Sequence, residues 1–180
     1  MTKLPFLLST ALALGGCASP GYDYELRVAP SADVGVAQQA AWGWEDATRR
    51  AGQPELEFRV VATPYGCRDS YCIYLEEVPP GDTNFTSADP TTSCGALGCT
   101  LTMQDSQTSH TKISNSLDSH PEEQLAAYAH ELGHALGLHY EGGAVLMNCP
   151  HLDRGIEGPT PEDVTQFYDV RGVGRPGFSR

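Results

Sequence analysis

The sequence predicts one mixed α/β domain of the α+β class, with about three helices. Two observations lead to this prediction. The chain has 180 residues and 40% apolar content, which is enough for one hydrophobic core and too short for two domains of ordinary size. Along it, segments of alternating polarity are separated by segments with apolar residues three and four apart, without an internal repeat. We therefore expect the helices and strands to share one core.

The first part of the chain alternates strand and helix patterns. Residues 22–28 alternate as a first strand does, and residues 33–50 have the apolar spacing of a helix, which ends near Gly52. The apolar stripe of this helix is Ala37, Ala40, Ala41, Trp44 and Ala47. The strands predicted after it are 56–61, 71–78, 99–103 and 111–114, with a polar loop at 82–98.

A second helix is predicted to begin near Pro121, a residue that suits the first helical turn. Ser119 and Glu122 have the spacing of a capping box, in which each side chain caps the backbone N–H of the other. The apolar stripe of the helix is Leu125, Tyr128, Leu132 and Leu136.

A third helix is predicted from the start signal Thr160-Pro161-Glu162-Asp163. It is expected to end near Gly172, because glycine commonly follows the last helical turn. The side chains expected to face inward are Val164, Phe167 and Tyr168.

Residues 130–139, His-Glu-Leu-Gly-His-Ala-Leu-Gly-Leu-His, carry the chemistry of the second helix. Residues four apart share a helix face, so His130 and His134 can present two imidazoles to one zinc ion. Glu131 then lies beside the metal, where a carboxylate can take a proton from a zinc-activated water and return it to a leaving amine. Gly137 favours this interpretation, because the helix must end before the chain can bring a third ligand to the metal. The alternative is an amphipathic helix with two ordinary histidines.

The pattern His130-Glu131-x-x-His134-x-x-Gly137, followed by a histidine and then Met147, resembles the metzincin zinc metallopeptidases, most closely their matrixin-like branch. The resemblance implies a zinc cofactor and hydrolysis of peptide bonds. It also implies that Met147 belongs to a Met-turn beneath the metal. A simple core methionine is an equally good interpretation of that residue taken alone.

The resemblance extends as a pattern of elements over residues 22–172. It implies a metzincin-like zincin domain with a mixed, mostly parallel, twisted sheet. An exposed edge strand of that sheet would pair with extended substrate, and residues 99–103 are the candidate for this edge.

The chain departs from the family at the third ligand. Three residues after the glycine, where the family has a histidine, this chain has Tyr140, and His139 comes one residue earlier. The spacing from His139 to Met147 is that of the family, so a one-residue deletion explains the pattern. An imidazole is also a better zinc ligand at neutral pH than a phenol, whose unperturbed pKa is about 10. His139 is therefore the predicted third ligand, with Glu141 and His151 as alternatives.

The N-terminus has the pattern of a bacterial lipoprotein signal. Lys3 precedes an apolar run too short to span a bilayer, and Leu14-Gly15-Gly16-Cys17 resembles a lipobox. An ordinary signal peptide with an incidental cysteine is the alternative. The expected divisions are a signal peptide at 1–16, a lipidated Cys17 with its tether at 17–21, and a single zinc metallopeptidase domain at 22–180.

The net charge of the chain and its N-terminal lipoprotein signal together predict which molecules the protein contacts. Without residues 1–16 the chain has ten basic and 23 acidic residues, a net charge of −13, which disfavours nucleic acid. Ala18 after Cys17 favours the outer membrane, by resemblance to Gram-negative lipoproteins; without lipidation the protein would be secreted. We expect a monomer that acts on a protein or peptide and contacts the membrane through its lipid.

The five cysteines after Cys17 predict disulfides, because the compartment is oxidising. Cys67/Cys72 and Cys94/Cys99 each enclose four residues, as a tight loop could. A four-cysteine zinc site is the alternative for these two pairs. Cys149 is left over: it is a free thiol, a partner of another cysteine, or a neighbour of the zinc.

The predicted function is that of a zinc-dependent endopeptidase with Glu131 as general base. One alternative is a zinc-binding but non-catalytic envelope lipoprotein that acts as a binding module, although a structural zinc site has no use for Glu131. Another is a structural lipoprotein with an accidental motif and no metal. The family resemblance also raises a calcium site in the loops around Asp82, Asp89 and Asp105, for which solvated acidic loops are the alternative.

Overall fold

The computed structural model describes residues 22–83, 92–94, 97–103, 108–139, 146–147 and 158–171. These residues form three α-helices and one mixed sheet of six strands, which confirms the predicted α+β class. The elements in chain order are β1 (Tyr24–Val28), α1 (Val34–Arg50), β2 (Phe58–Ala62), β3 (Cys72–Val78), β4 (Thr92–Cys94), β5 (Gly98–Met103), β6 (Thr108–Ser114), α2 (Pro121–Ala135) and α3 (Pro161–Arg171).

The strands are ordered β2-β1-β3-β6-β5-β4 across the sheet. The first four strands in this order pair in parallel, whereas β5 is antiparallel to β6 and β4 is antiparallel to β5. A strand is present at 99–103, as part of β5, but the prediction that it lies at the edge of the sheet is wrong. β4 lies outside β5, with Thr92 opposite Leu101 and Cys94 opposite Cys99. β4 and β5 are therefore the two strands of a short antiparallel hairpin, in which β4 covers the outer edge of β5.

The core lies between the sheet and the first two helices. α1 and α2 pack on each other, and both also contact strands of the sheet. β1 alternates buried and half-buried residues, as a strand with one covered face does. The stripe predicted for α1 is confirmed, since all five of its side chains are buried, with Trp44 fully enclosed.

The start of α2 differs from the prediction. His120, rather than Ser119, is the residue before the helix, and no side chain caps the first turn. Ser119 Oγ instead lies 3.0 Å from Nδ1 of His120. The reason is Pro121, which begins the helix and keeps the preceding residue out of helical dihedral angles. Glu122 and Glu123 lie in the first turn, where negative charge favours the helix dipole.

The predicted Cys67–Cys72 disulfide is confirmed. It excludes the four-cysteine zinc site, because two of the four sulfur atoms are bonded to each other. Cys94 and Cys99 are cross-strand partners in the backbone register, and their disulfide stays a prediction. Cys149 and the predicted leader and tether at 1–21 lie outside the described residues. Among the helices of the described part, none is both long and apolar enough to cross a membrane.

Candidate metal centre and catalytic carboxylate

The end of α2 is built around Gly137, as predicted. Gly137 has a φ of +94°, in the region that favours glycine. Its N–H donates to the carbonyl of His134 at 2.9 Å, and the N–H of Leu138 donates to the carbonyl of Gly133 at 3.0 Å. These two bonds form a Schellman motif, which satisfies the last carbonyls of the helix and turns the chain away from its axis.

His130 and His134 lie next to each other on α2, with ring centroids 4.7 Å apart and ring planes at 90°. Nδ1 of His130 lies 2.7 Å from the carbonyl oxygen of Leu146, and Nδ1 of His134 lies 2.9 Å from that of Leu138. A carbonyl can only accept, so each Nδ1 carries the proton. In a neutral ring the lone pair is then on Nε2. This is the tautomer of a histidine that binds a metal through Nε2 and donates through Nδ1 to a carbonyl.

The environment of His134 favours its neutral form. The side chain is 3% exposed. Burial and, to a smaller degree, the neighbouring His130 and His139 lower its pKa to about 3, against the opposing hydrogen bond to Leu138. His134 is therefore neutral at physiological pH, which is the form that can bind a metal ion.

His139 lies near enough to His134 to affect its pKa, but its side chain is exposed. Within the described part of the chain, no group of three or more His, Cys, Asp or Glu side chains is placed to hold a metal ion. The structure thus brings His130 and His134 together and does not bring His139 into a three-residue group. Tyr140, Glu141 and His151 lie outside the described residues.

Glu131 points from α2 towards β5 and is 3% exposed. Thr100 Oγ1 donates a hydrogen bond of 2.6 Å to Oε2 of its carboxylate. Burial raises the pKa of Glu131 to about 8, although the bond from Thr100 acts in the opposite direction. Such a carboxyl group can gain and lose a proton near neutral pH, as a general base and acid must.

Met147 is completely buried beneath α2, against Gly133. A methyl group added at Gly133 would collide with the Met147 sulfur and lie 3.1 Å from both Met147 Cε and Trp44 Cζ2. Trp44 also donates from Nε1 to the carbonyl of Ala129 at 2.9 Å. Met147 therefore supports the part of the helix that carries the two histidines, while its place beneath a metal stays a prediction.

Asp163, in the first turn of α3, connects that helix to His130. Its buried carboxylate accepts from the N–H groups of Leu146 at 3.0 Å and Met147 at 3.2 Å. It also accepts from the backbone N–H and the hydroxyl of Thr160, each at 2.8 Å. The carbonyl of Leu146 is the one that binds His130 Nδ1. Asp163 thus orients the imidazole through one intervening peptide.

Sequence reasoning missed the roles of Gly98, Thr100, Gly133 and Asp163. For Gly133 a signal was present, since a glycine inside a helix costs about 1 kcal/mol and indicates close packing. Gly98 at the start of a strand gives a weaker signal of the same kind. For Asp163 the sequence indicates only the start of a helix. For Thr100 the sequence holds no signal, because a threonine in a polar strand is ordinary.

The predicted calcium site is only partly within the described residues. Asp82 is exposed, and its backbone N–H donates to the carbonyl of Pro79 at 3.0 Å. Asp89 and Asp105 lie outside the described residues, so the calcium site stays a prediction.

Comparison with known proteins assigns no family to the chain. No protein-family profile matches it, and no curated protein matches it significantly. The resemblance to metzincins therefore stays a prediction that depends on residues 130–147, and the function is inferred from the site itself.

Proposed function

We propose that this protein is a zinc-dependent endopeptidase of the bacterial cell envelope, anchored by a lipid on Cys17. The observation that carries the proposal is the arrangement on α2. Two imidazoles with Nδ1 held by carbonyls lie 4.7 Å apart between ring centroids, beside a buried carboxylate that Thr100 holds. A helix that served only for packing would need neither the paired tautomers nor the buried acid.

The donor set fits zinc, because neutral imidazole nitrogens are among its preferred ligands. His130 and His134 would bind through Nε2, and His139 would complete the set after a movement of the segment beyond Gly137. Three protein ligands leave a fourth position open, as hydrolysis requires. When bound, zinc would polarise the scissile carbonyl and lower the pKa of the attacking water to about 7.

Glu131 is the proposed general base and acid. As the water oxygen bonds to the scissile carbon, the carboxylate takes the proton that the water loses. When the carbon–nitrogen bond breaks, Glu131 gives this proton to the departing amine. The raised pKa of Glu131, about 8 in the metal-free protein, supports the second transfer, since a carboxyl group of ordinary pKa would return the proton less readily.

The test compares wild type with Glu131→Ala and with Glu122→Ala, which changes an exposed acid in the first turn of the same helix. Zinc is measured by elemental analysis and hydrolysis with an unstructured protein such as casein. We expect Glu131→Ala to keep its zinc and lose cleavage, whereas Glu122→Ala keeps both.

Three results would contradict the proposal in different ways. Loss of zinc from Glu131→Ala would make Glu131 a ligand. Zinc without cleavage in the wild type would favour the non-catalytic binding module, and a wild type that binds no zinc would mean that the motif is accidental.

A further inference from the structure

β5 crosses α2 at Glu131, and two of its residues contact the carboxylate. Gly98 and Thr100 are two apart on the strand, so they face the same side. Thr100 Oγ1 donates to Oε2 at 2.6 Å. Gly98 lies against the rest of the group, since a methyl group added there would collide with Oε1 and come within 2.7 Å of Cδ and Cγ. One residue therefore holds the carboxylate and the other leaves room for it.

The hydrogen bond from Thr100 has a defined direction. When Glu131 is ionised, as a general base must be, its carboxylate only accepts, so Thr100 uses its single hydroxyl proton for Oε2 at 2.6 Å rather than for the Glu131 backbone carbonyl at 3.3 Å. The hydroxyl of Thr111 lies 3.1 Å from that of Thr100, and it must then be the donor to Thr100. Both threonines are buried, so this chain of donors is sheltered from competing water.

We propose that Thr100 is a positioning residue for Glu131 in peptide hydrolysis, an inference that rests on the proposed function. By occupying Oε2, the hydroxyl fixes the plane of the carboxylate and leaves Oε1 to take the proton of the attacking water and return it to the amine. Gly98 permits this placement because it has no side chain. The Thr100 hydroxyl also lies 3.3 Å from the backbone carbonyl of Glu131, so it contacts both the side chain and the backbone of the residue that it positions.

The experiment compares Thr100→Val, which keeps the shape and removes the hydroxyl, with Thr100→Ser, which keeps the hydroxyl. Thr102→Val is the matched control, since Thr102 lies on the same strand and pairs with Ser109 at 3.1 Å rather than with Glu131. We expect kcat for a peptide to fall about 10²-fold in Thr100→Val with little change in KM, the size typical of a misplaced catalytic group. Thr100→Ser and Thr102→Val should stay within about threefold of wild type.

A second measurement does not depend on activity. In the metal-free protein, the effects of Thr100→Val and Glu131→Ala on the equilibrium constant of unfolding should be non-additive, because the two residues interact directly. The effect of the double variant should differ by about tenfold from the product of the two single effects. Zinc content should be the same in Thr100→Val and wild type, since Thr100 is not a ligand. If Thr100→Val does not fold, Thr100→Ala, which also lacks the hydroxyl, replaces it in the comparison with Thr100→Ser.

The inference is overturned if Thr100→Val cleaves as fast as wild type, if only its KM changes, if serine does not restore kcat, or if the two unfolding effects are additive. When Glu131→Ala abolishes cleavage but Thr100→Val does not, the positioning role alone is wrong. A wild type that cleaves no peptide refutes the proposed function, and the positioning role falls with it.

Discussion

Glu131 and His134 lie one turn apart on α2, and burial moves their pKa values in opposite directions. The pKa of Glu131 rises to about 8 and that of His134 falls to about 3. In both cases the neutral form is favoured, because each charged form would lose its hydration inside the protein. Glu131 and His134 are therefore both largely uncharged near neutral pH in the metal-free protein, which suits a neutral ligand beside a group that exchanges a proton.

These shifts predict how the stability of the metal-free protein changes with pH. Between the ordinary pKa of 4.5 and about 8, the folded state keeps a proton on Glu131 that the unfolded state has lost, so stability falls as pH rises. Between about 3 and 6.5 the unfolded state binds the extra proton at His134, so stability rises with pH. Of these two groups, only Glu131 changes the stability above pH 6.5, and it lowers the stability as pH rises.

We therefore expect urea unfolding with a chelator present to show a loss on the order of 2 kcal/mol from pH 6.5 to 8 in the wild type. Glu131→Gln should remove most of this loss, because the amide does not titrate. Glu122→Gln, at an exposed position, should behave like wild type. An equal pH dependence in Glu131→Gln would show that another group causes it.

The prediction that His139 is the third zinc ligand can be tested by single substitutions. His139→Ala should weaken zinc binding at least roughly tenfold, since even the loss of a partner that orients a ligand costs this much. Tyr140→Phe should leave affinity unchanged, because it removes only the phenolic hydroxyl. Competitive zinc titration measures both. Binding by His139→Ala as tight as wild type would point to Glu141 or His151.

At the level of elements, close approach between α2 and Met147 depends on Gly133. In most helix interiors, Gly→Ala stabilises by roughly 0.5–1 kcal/mol. At Gly133 the added methyl group would collide with the Met147 sulfur, so we expect a net loss of about 1–3 kcal/mol in the free energy of unfolding.

Gly43→Ala in α1 is the matched control for Gly133→Ala. Its nearest contact would be Pro159 Cδ at 3.5 Å, an ordinary van der Waals distance, and it should stabilise the protein. Thermal unfolding of the two variants measures the contrast. Equal stabilisation by both would mean that Met147 moves aside without cost.

The contact between α3 and the Leu146–Met147 turn gives another prediction. Asp163→Asn keeps the shape but replaces one acceptor oxygen by a donor, so at least one buried N–H loses its partner. We expect a loss of about 1–3 kcal/mol in stability. Zinc binding should also weaken, because Leu146 orients His130. Glu162→Gln, at the exposed neighbouring position, should change neither quantity. If Asp163→Asn bound zinc as tightly as wild type, Asp163 would have no role in orienting His130 for zinc binding.

At the level of the whole molecule, the proposed lipid on Cys17 would determine where the domain acts. Only four residues separate Cys17 from Tyr22, so a fully extended tether reaches about 14 Å. Cys17→Ser should abolish incorporation of labelled fatty acid and release the protein from the membrane fraction, with casein cleavage retained. A Cys17→Ser protein that stays with the membrane would contradict the anchor.

Much of the fold could be predicted because each element carries its own periodic pattern. The stripe around Trp44 and the helix end at Gly137 depend on neighbours in the chain, and both are confirmed. The capping residue of α2 was predicted one position early, at Ser119, because the effect of Pro121 on His120 outweighed the capping signal. The hairpin of β4 and β5 was missed, because a polar segment of three residues has no clear strand pattern.

The sequence alone determined the chemistry available on α2, because residues one helical turn apart must share a face. Only the tertiary structure decided how that chemistry is held. Thr100 lies 31 residues before Glu131 and Asp163 lies 17 residues after Leu146, so no local spacing connects them. Their hydrogen bonds exist because the antiparallel strand β5 crosses α2 and because α3 packs beneath the Met147 turn, and such long-range contacts follow from packing of the whole chain.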